Sequence, residues 1–173
     1  MIPQDTGLID GKLISATGEI IFDPEHSRFE ICTPSCSYFS GAPKECIALS
    51  DQISVIVNNE RISLALLPTG DDQLVKAQEY VLTAMSSTGM DETTYNPGPE
   101  MMGFPLTSVV FRGKLYVDTL EGEIHVKARD AVLQALSPTG EVITEIAGEK
   151  SKEGICFKMT GEIPSVQFCL RIK

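Results

Sequence analysis

The chain has 173 residues, 24 of them acidic and 14 basic, for a formal net charge of −10. That acid excess disfavours nucleic-acid phosphates and anionic membranes as partners. Tryptophan is absent and aromatic residues make up 6% of the chain, which argues against a strong sugar-stacking platform.

Four copies of one turn signal punctuate the sequence: Ala16-Thr17-Gly18, Pro68-Thr69-Gly70, Ser87-Thr88-Gly89 and Pro138-Thr139-Gly140. Glycine supplies a positive φ without steric cost, and proline presets the preceding turn position. In chain order, residues 12–22 read as a hairpin or strand pair around Gly18, and Asp23-Pro24-Glu25-His26 as a second turn. Arg28–Thr33 alternates, with Phe29 and Ile31 on one face, and Pro34 ends the strand because it cannot donate to a ladder. Ile53, Val55 and Val57 form one apolar face and Ile62, Leu64 and Leu66 another, which with Asn58-Asn59-Glu60-Arg61 between them predicts a hairpin. Asp71-Asp72 ahead of Leu74, Val75 and Ala77 suits a single helical turn as a connector before a strand at Tyr80–Ala84.

Ser86 to Pro105 carries prolines at 97, 99 and 105 and little periodicity, and reads as a long loop at about 86–105. Strands resume at Val109–Phe111 and Leu115–Val117 around Arg112-Gly113-Lys114, then at Ile124 and Val126 after Glu121-Gly122. Val132–Leu136 and Val142–Ile146 flank the last Thr-Gly turn. Ile155, Phe157 and Met159 match in pattern with Val166, Phe168, Leu170 and Ile172. The Thr-Gly sites are unevenly spaced, so they are shared turn chemistry and not a repeat. The expected fold is all-β: one two-sheet antiparallel β-sandwich over 1–173, jelly-roll, galactose-binding-like or immunoglobulin-like.

A chain of this size buries roughly 70% of its unfolded surface and needs no metal or disulfide to hold its core. No apolar run approaches the ~18 residues of a membrane span. The N-terminus has no basic n-region or apolar h-region, so no signal peptide is expected; a native Met1 would imply the cytoplasm, and a fragment a longer secreted protein. Five cysteines are an odd number, and Cys32, Cys36 and Cys46 lack a C-x₂-C pair. Most of them read as small apolar residues within the sheets, with one disulfide as the main alternative. His26 and His125 stand isolated in sequence, so zinc is not expected.

Asp5-Thr6-Gly7 spells the aspartic-protease triplet, but it follows no buried apolar strand and reads as coincidence. Acid pairs such as Asp91-Glu92, Glu19/Asp23 and Glu121/Glu123 invite a glycosidase reading, yet 24 acids supply such pairs freely on a solvated surface. The most site-like cluster is Tyr95 with Asp91, Glu92, Asn96 and Glu100. An aromatic ring beside carboxylates and an amide suits a sugar; no cofactor is expected, although exposed carboxylates and carbonyls would also suit Ca²⁺, without the D-x-[DN]-x-[DN]-G spacing. Met90, Met101, Met102 and Phe104 in the same stretch favour docking on a partner surface.

The blocks Ser15-Ala16-Thr17-Gly18-Glu19-Ile20-Ile21-Phe22-Asp23 and Phe29-Glu30-Ile31-Cys32-Thr33-Pro34 resemble a segment written S-D-T-G-E-I-x-W-D followed by F-x-I-x-T-P. That segment opens the C-terminal β-sandwich region appended to the catalytic barrel of some bacterial glycoside hydrolases. Tyr80–Ala84 through Thr88-Gly89-Met90, Leu120–Ile124 and Ala135–Val142 are similar to later blocks of that region, in the same order. Ala16 stands where the pattern has Asp, Phe22 where it has Trp, and Phe104-Pro105-Leu106 where a Gly-x-Ala-Pro-like stretch is usual. The resemblance implies a non-catalytic accessory module: the catalytic glutamates of such enzymes sit on a barrel this chain does not carry. The expected partners are a catalytic glycoside hydrolase domain or carbohydrate. A free-standing carbohydrate-binding module and a small carboxylate-dependent hydrolase are the alternatives.

Overall fold

The computed structural model describes residues 7–70, 73–101 and 104–173, with the side chains of residues 91 and 93–112 outside that description. The strands are β1 (Gly7–Ile9), β2 (Lys12–Ile14), β3 (Ile20–Asp23), β4 (Arg28–Thr33), β5 (Cys36–Gly41), β6 (Ile47–Ala48), β7 (Ile53–Val57), β8 (Ile62–Pro68) and β9 (Glu79–Met85). They continue with β10 (Thr88–Met101), β11 (Phe104–Val117), β12 (Glu121–Val126), β13 (Ala131–Leu136), β14 (Val142–Ile146), β15 (Gly148–Lys150), β16 (Ile155–Thr160) and β17 (Gln167–Ile172). Two compact units result, residues 87–118 and the remainder of the chain. The larger unit holds a ten-stranded sheet in the order β1-β2-β3-β4-β5-β8-β9-β17-β13-β14 and a five-stranded sheet in the order β15-β16-β12-β7-β6. Their strand pairs are antiparallel, and the architecture is the expected all-β, two-sheet one. Among the described residues there is no helix.

Alternation of apolar and polar residues gives each sheet one buried face. Leu66, Leu82, Phe168 and Ala135 stand side by side across β8, β9, β17 and β13, all buried. Val55, Ile124 and Phe157 form the matching buried row across β7, β12 and β16. Full burial of side chains this large contributes about 1.5–3 kcal/mol each. Tyr80 is also buried, and its hydroxyl donates to the Leu74 and Ala77 carbonyls at 2.8 and 2.6 Å. This ties the single turn at Gln73–Ala77 to the core, where a connector was expected; Asp71 and Asp72 lie outside the described residues.

Several local expectations hold. β2–β3 and β3–β4 pair around the predicted turns, Pro34 follows the last residue of β4, and β13–β14 close on the Pro138-Thr139-Gly140 turn. Gly18, Gly70 and Gly140 have φ of 74°, 78° and 85°, as their turns require. The third signal differs: Thr88-Gly89 begins β10, and Gly89 lies against the Tyr116 ring.

The predicted Asn58–Arg61 hairpin is instead a crossing between sheets, and the pattern-matched strands β16 and β17 are divided in the same way. β7 pairs with β6 and β12, whereas β8 pairs with β5 and β9. Likewise β16 pairs with β12 and β15, whereas β17 pairs with β9 and β13. Two strands facing each other across a core carry the same alternation as two strands side by side. The Asn58–Arg61 corner is fixed on a third strand: Asn59 Nδ2 donates to the Thr119 carbonyl at 3.1 Å, and its Oδ1 accepts from the Glu121 amide at 2.8 Å.

The 86–105 stretch is also corrected. It supplies β10 and the start of β11, which form a two-stranded antiparallel ribbon. Arg112-Gly113-Lys114 is no turn: β11 runs through it, with a register shift opposite Asp91 and Gly113 at φ 83°. One extra residue with positive φ is a β-bulge, which glycine accommodates.

Candidate functional site

The sequence-predicted cluster lies along one strand of the ribbon. In its ladder Glu92 is opposite Arg112, Tyr95 opposite Val109, Asn96 opposite Ser108 and Glu100 opposite Pro105. Asp91 falls at the bulge between Met90 and Glu92. The Glu92 side chain is exposed; the side chains of Asp91, Tyr95, Asn96 and Glu100 lie outside the described residues. The Asp5 and Thr6 of the protease-like triplet lie outside them as well, and Gly7 opens the edge strand β1.

A second surface was not read from the sequence. Leu8 is opposite Leu13, Leu13 opposite Phe22 and Phe22 opposite Phe29, so four apolar side chains line up across β1–β4. The row continues into Ser40 and Ser63, whose neighbours Phe39, Ile62 and Leu64 point into the core, so it occupies the face of the larger sheet away from the core. Ile20, Ile31 and Tyr38 form a parallel row on the same face. Leu8, Leu13, Ile20 and Phe22 are 70%, 46%, 42% and 40% exposed. Phe29 and Tyr38 meet edge to face with ring centroids 6.1 Å apart, which stiffens the middle of the patch.

The third arrangement is on the outer face of the smaller sheet. Glu123 and His125 are two apart on β12, hence on one face, and Cys156 of β16 is directly opposite His125. His125 Nε2 lies 2.9 Å from Glu123 Oε2, and Cys156 Sγ lies 3.6 Å from that oxygen and 4.0 Å from the same nitrogen. Burial and the Glu123 carboxylate push the Cys156 thiol up from its ordinary range. Lys158, opposite Glu123 in the ladder, is engaged by Glu149 at 2.9 Å. Beside the cluster is a hollow of about 680 Å³ lined by Cys46, Ser54, Ile56, His125 and Cys156 among others. The isolation of His125 in sequence is thus not isolation in space. Only the β12–β16 register, joining residues 31 apart, brings the cysteine to it.

The remaining acid pairs have separate partners. Glu19 accepts from the Thr17 hydroxyl at 3.0 Å. Asp23 is buried and accepts from the His26 amide at 3.1 Å, with His26 Nδ1 at 3.0 Å and Lys12 Nζ at 3.6 Å. Burial alone would raise its carboxyl, but the His26 hydrogen bonds and the charges of His26 and Lys12 outweigh it and hold the carboxyl below its ordinary range. This Asp therefore caps the β3–β4 turn. All five cysteines are free, so the single-disulfide alternative is not realised.

No protein-family model, curated protein or solved structure matches the chain.

Proposed function

We propose that the chain is a non-catalytic accessory module of a glycoside hydrolase-like protein, packing on a catalytic domain through the outer face of β1–β5. The observation that carries this reading is the apolar patch formed by exposed Leu8, Leu13, Ile20 and Phe22 with half-buried Phe29, Ile31 and Tyr38. Contiguous apolar and aromatic surface of this kind is characteristic of an interface centre, and leaving it in water is costly. The blocks Ser15–Asp23 and Phe29–Pro34, which carry the sequence resemblance, supply the middle of the patch. Carbohydrate recognition would be an assisting role for the β10 residues Asp91, Glu92, Tyr95, Asn96 and Glu100, with Ca²⁺ as the ion their oxygens suit.

The test uses the catalytic barrel of a bacterial glycoside hydrolase of the resembling kind, with its own C-terminal β-sandwich removed. Mixed with this chain, it should co-elute on size exclusion, and Leu13→Glu with Phe22→Glu should weaken the association at least about tenfold. Both positions are exposed, and because two glutamates facing each other across β2–β3 would repel, the single variants Leu8→Glu and Ile20→Glu should weaken the association in the same direction. Equal association of wild type and variant would sink the docking face.

A further inference from the structure

We propose that Glu123, His125 and Cys156 form a binding site for a borderline-soft divalent cation, zinc by preference, on the outer face of the smaller sheet. The inference is independent of the docking reading, because it rests on other strands and other side chains.

The three donor atoms are of three kinds: carboxylate oxygen, imidazole nitrogen and sulfur. They lie within 4.8 Å of one another, with separations of 2.9, 3.6 and 4.0 Å. Tetrahedral zinc ligands at about 2.0–2.3 Å from the metal stand about 3.3–3.7 Å apart, so one ion between the three atoms asks for only small side-chain adjustments. The mixed nitrogen, sulfur and oxygen set selects zinc over calcium or magnesium, which take oxygen.

A Cys-His-Glu relay for nucleophilic catalysis is the obvious rival, and the geometry argues against it. In a relay the histidine bonds the nucleophile with one ring nitrogen and its orienting carboxylate with the other. Here both Glu123 and Cys156 approach the same atom, Nε2 of His125. Donors converging on one point make a chelate, not a chain of proton transfers.

The scaffold suits the task, since adjacent β-strands fix all three Cα positions. Pairing of Lys158 with Glu149 leaves the Glu123 carboxylate to His125 and Cys156. The hollow lined by Ser54, His125 and Cys156 leaves space for a fourth ligand such as water. On binding, the Cys156 S–H bond breaks, its proton passes to solvent and a zinc–thiolate bond forms.

The experiment is equilibrium dialysis of the full chain against Zn²⁺, with Co²⁺ absorption as a reporter of thiolate ligation. Cys32→Ser, Cys36→Ser and Cys46→Ser are introduced first, to remove the exposed thiols of Cys32 and Cys46 and the part-buried one of Cys36. One ion per chain is expected, with a sulfur-to-cobalt charge-transfer band. Cys156→Ser should abolish the band, His125→Ala should weaken binding more than about 100-fold, and the isosteric Glu123→Gln about 10-fold or more. Thermal unfolding of each variant checks the fold, which substitutions at these partly exposed positions are expected to leave intact. A Co²⁺ complex without the thiolate band, or His125→Ala and Cys156→Ser binding as wild type does, would overturn the site.

Discussion

Asp23 shows how a single side chain sets a turn and its response to acid. The sequence Asp23-Pro24-Glu25-His26 reads correctly as a turn, but the burial of Asp23 and its bond to the His26 amide are visible only in three dimensions. A carboxyl held below its ordinary range contributes stability above about pH 4, where the unfolded carboxyl is ionised. That contribution disappears as pH falls through the lowered folded value. Asp23→Asn should therefore be less stable than wild type at neutral pH, with the gap closing below about pH 4 in thermal melts. A gap constant from pH 7 to pH 2 would show that the charge is not what matters. Gly122 is another case that spacing could not reveal: at φ 146° beside the Ile56 carbonyl, it lets β12 approach β7 where a Cβ would clash.

Element by element, strands were legible and their pairing was not. β4, β7, β8, β9, β12, β13 and β16 lie where alternation places them, because period-2 patterning reports which face is buried. The same pattern is blind to the partner, so β7–β8 and β16–β17 resemble hairpins although each pair splits between the two sheets. The ribbon was missed because Pro97, Pro99 and Pro105 and scattered glycines mask a ladder that tolerates them: a two-stranded ribbon has only edge strands. The core cluster of the described residues is drawn wholly from outside 87–118. The Asp118 amide donates to the Ser87 carbonyl at 2.8 Å, so the ribbon's two ends already meet. Replacing Thr88–Val117 by an Asn-Gly turn should leave cooperative unfolding with a Tm within about 5 °C of wild type, read by circular dichroism. Loss of the transition would show that the sandwich depends on its ribbon.

At the scale of the molecule, ten strands face five, and β1 and β2 contain no buried residue. Leu13 and Phe22 are exposed because their row lies on the face of the larger sheet away from the core, while the opposite face of its central strands folds around a large core. The turn chemistry and the resemblance blocks pointed to a sandwich, but the apolar row depends on the cross-strand register Leu8–Leu13–Phe22–Phe29, which no local window contains. The same holds for His125 and Cys156 on the opposite sheet. The outer face of β1–β5 is the surface proposed to seat a catalytic domain. The most direct measurement is methyl NMR of the labelled chain titrated with the stripped glycoside hydrolase barrel. Shifts concentrated at the methyls of Leu8, Leu13, Ile20 and Ile31 are predicted; an unchanged spectrum, or shifts confined to the β10–β11 ribbon, would contradict the claim.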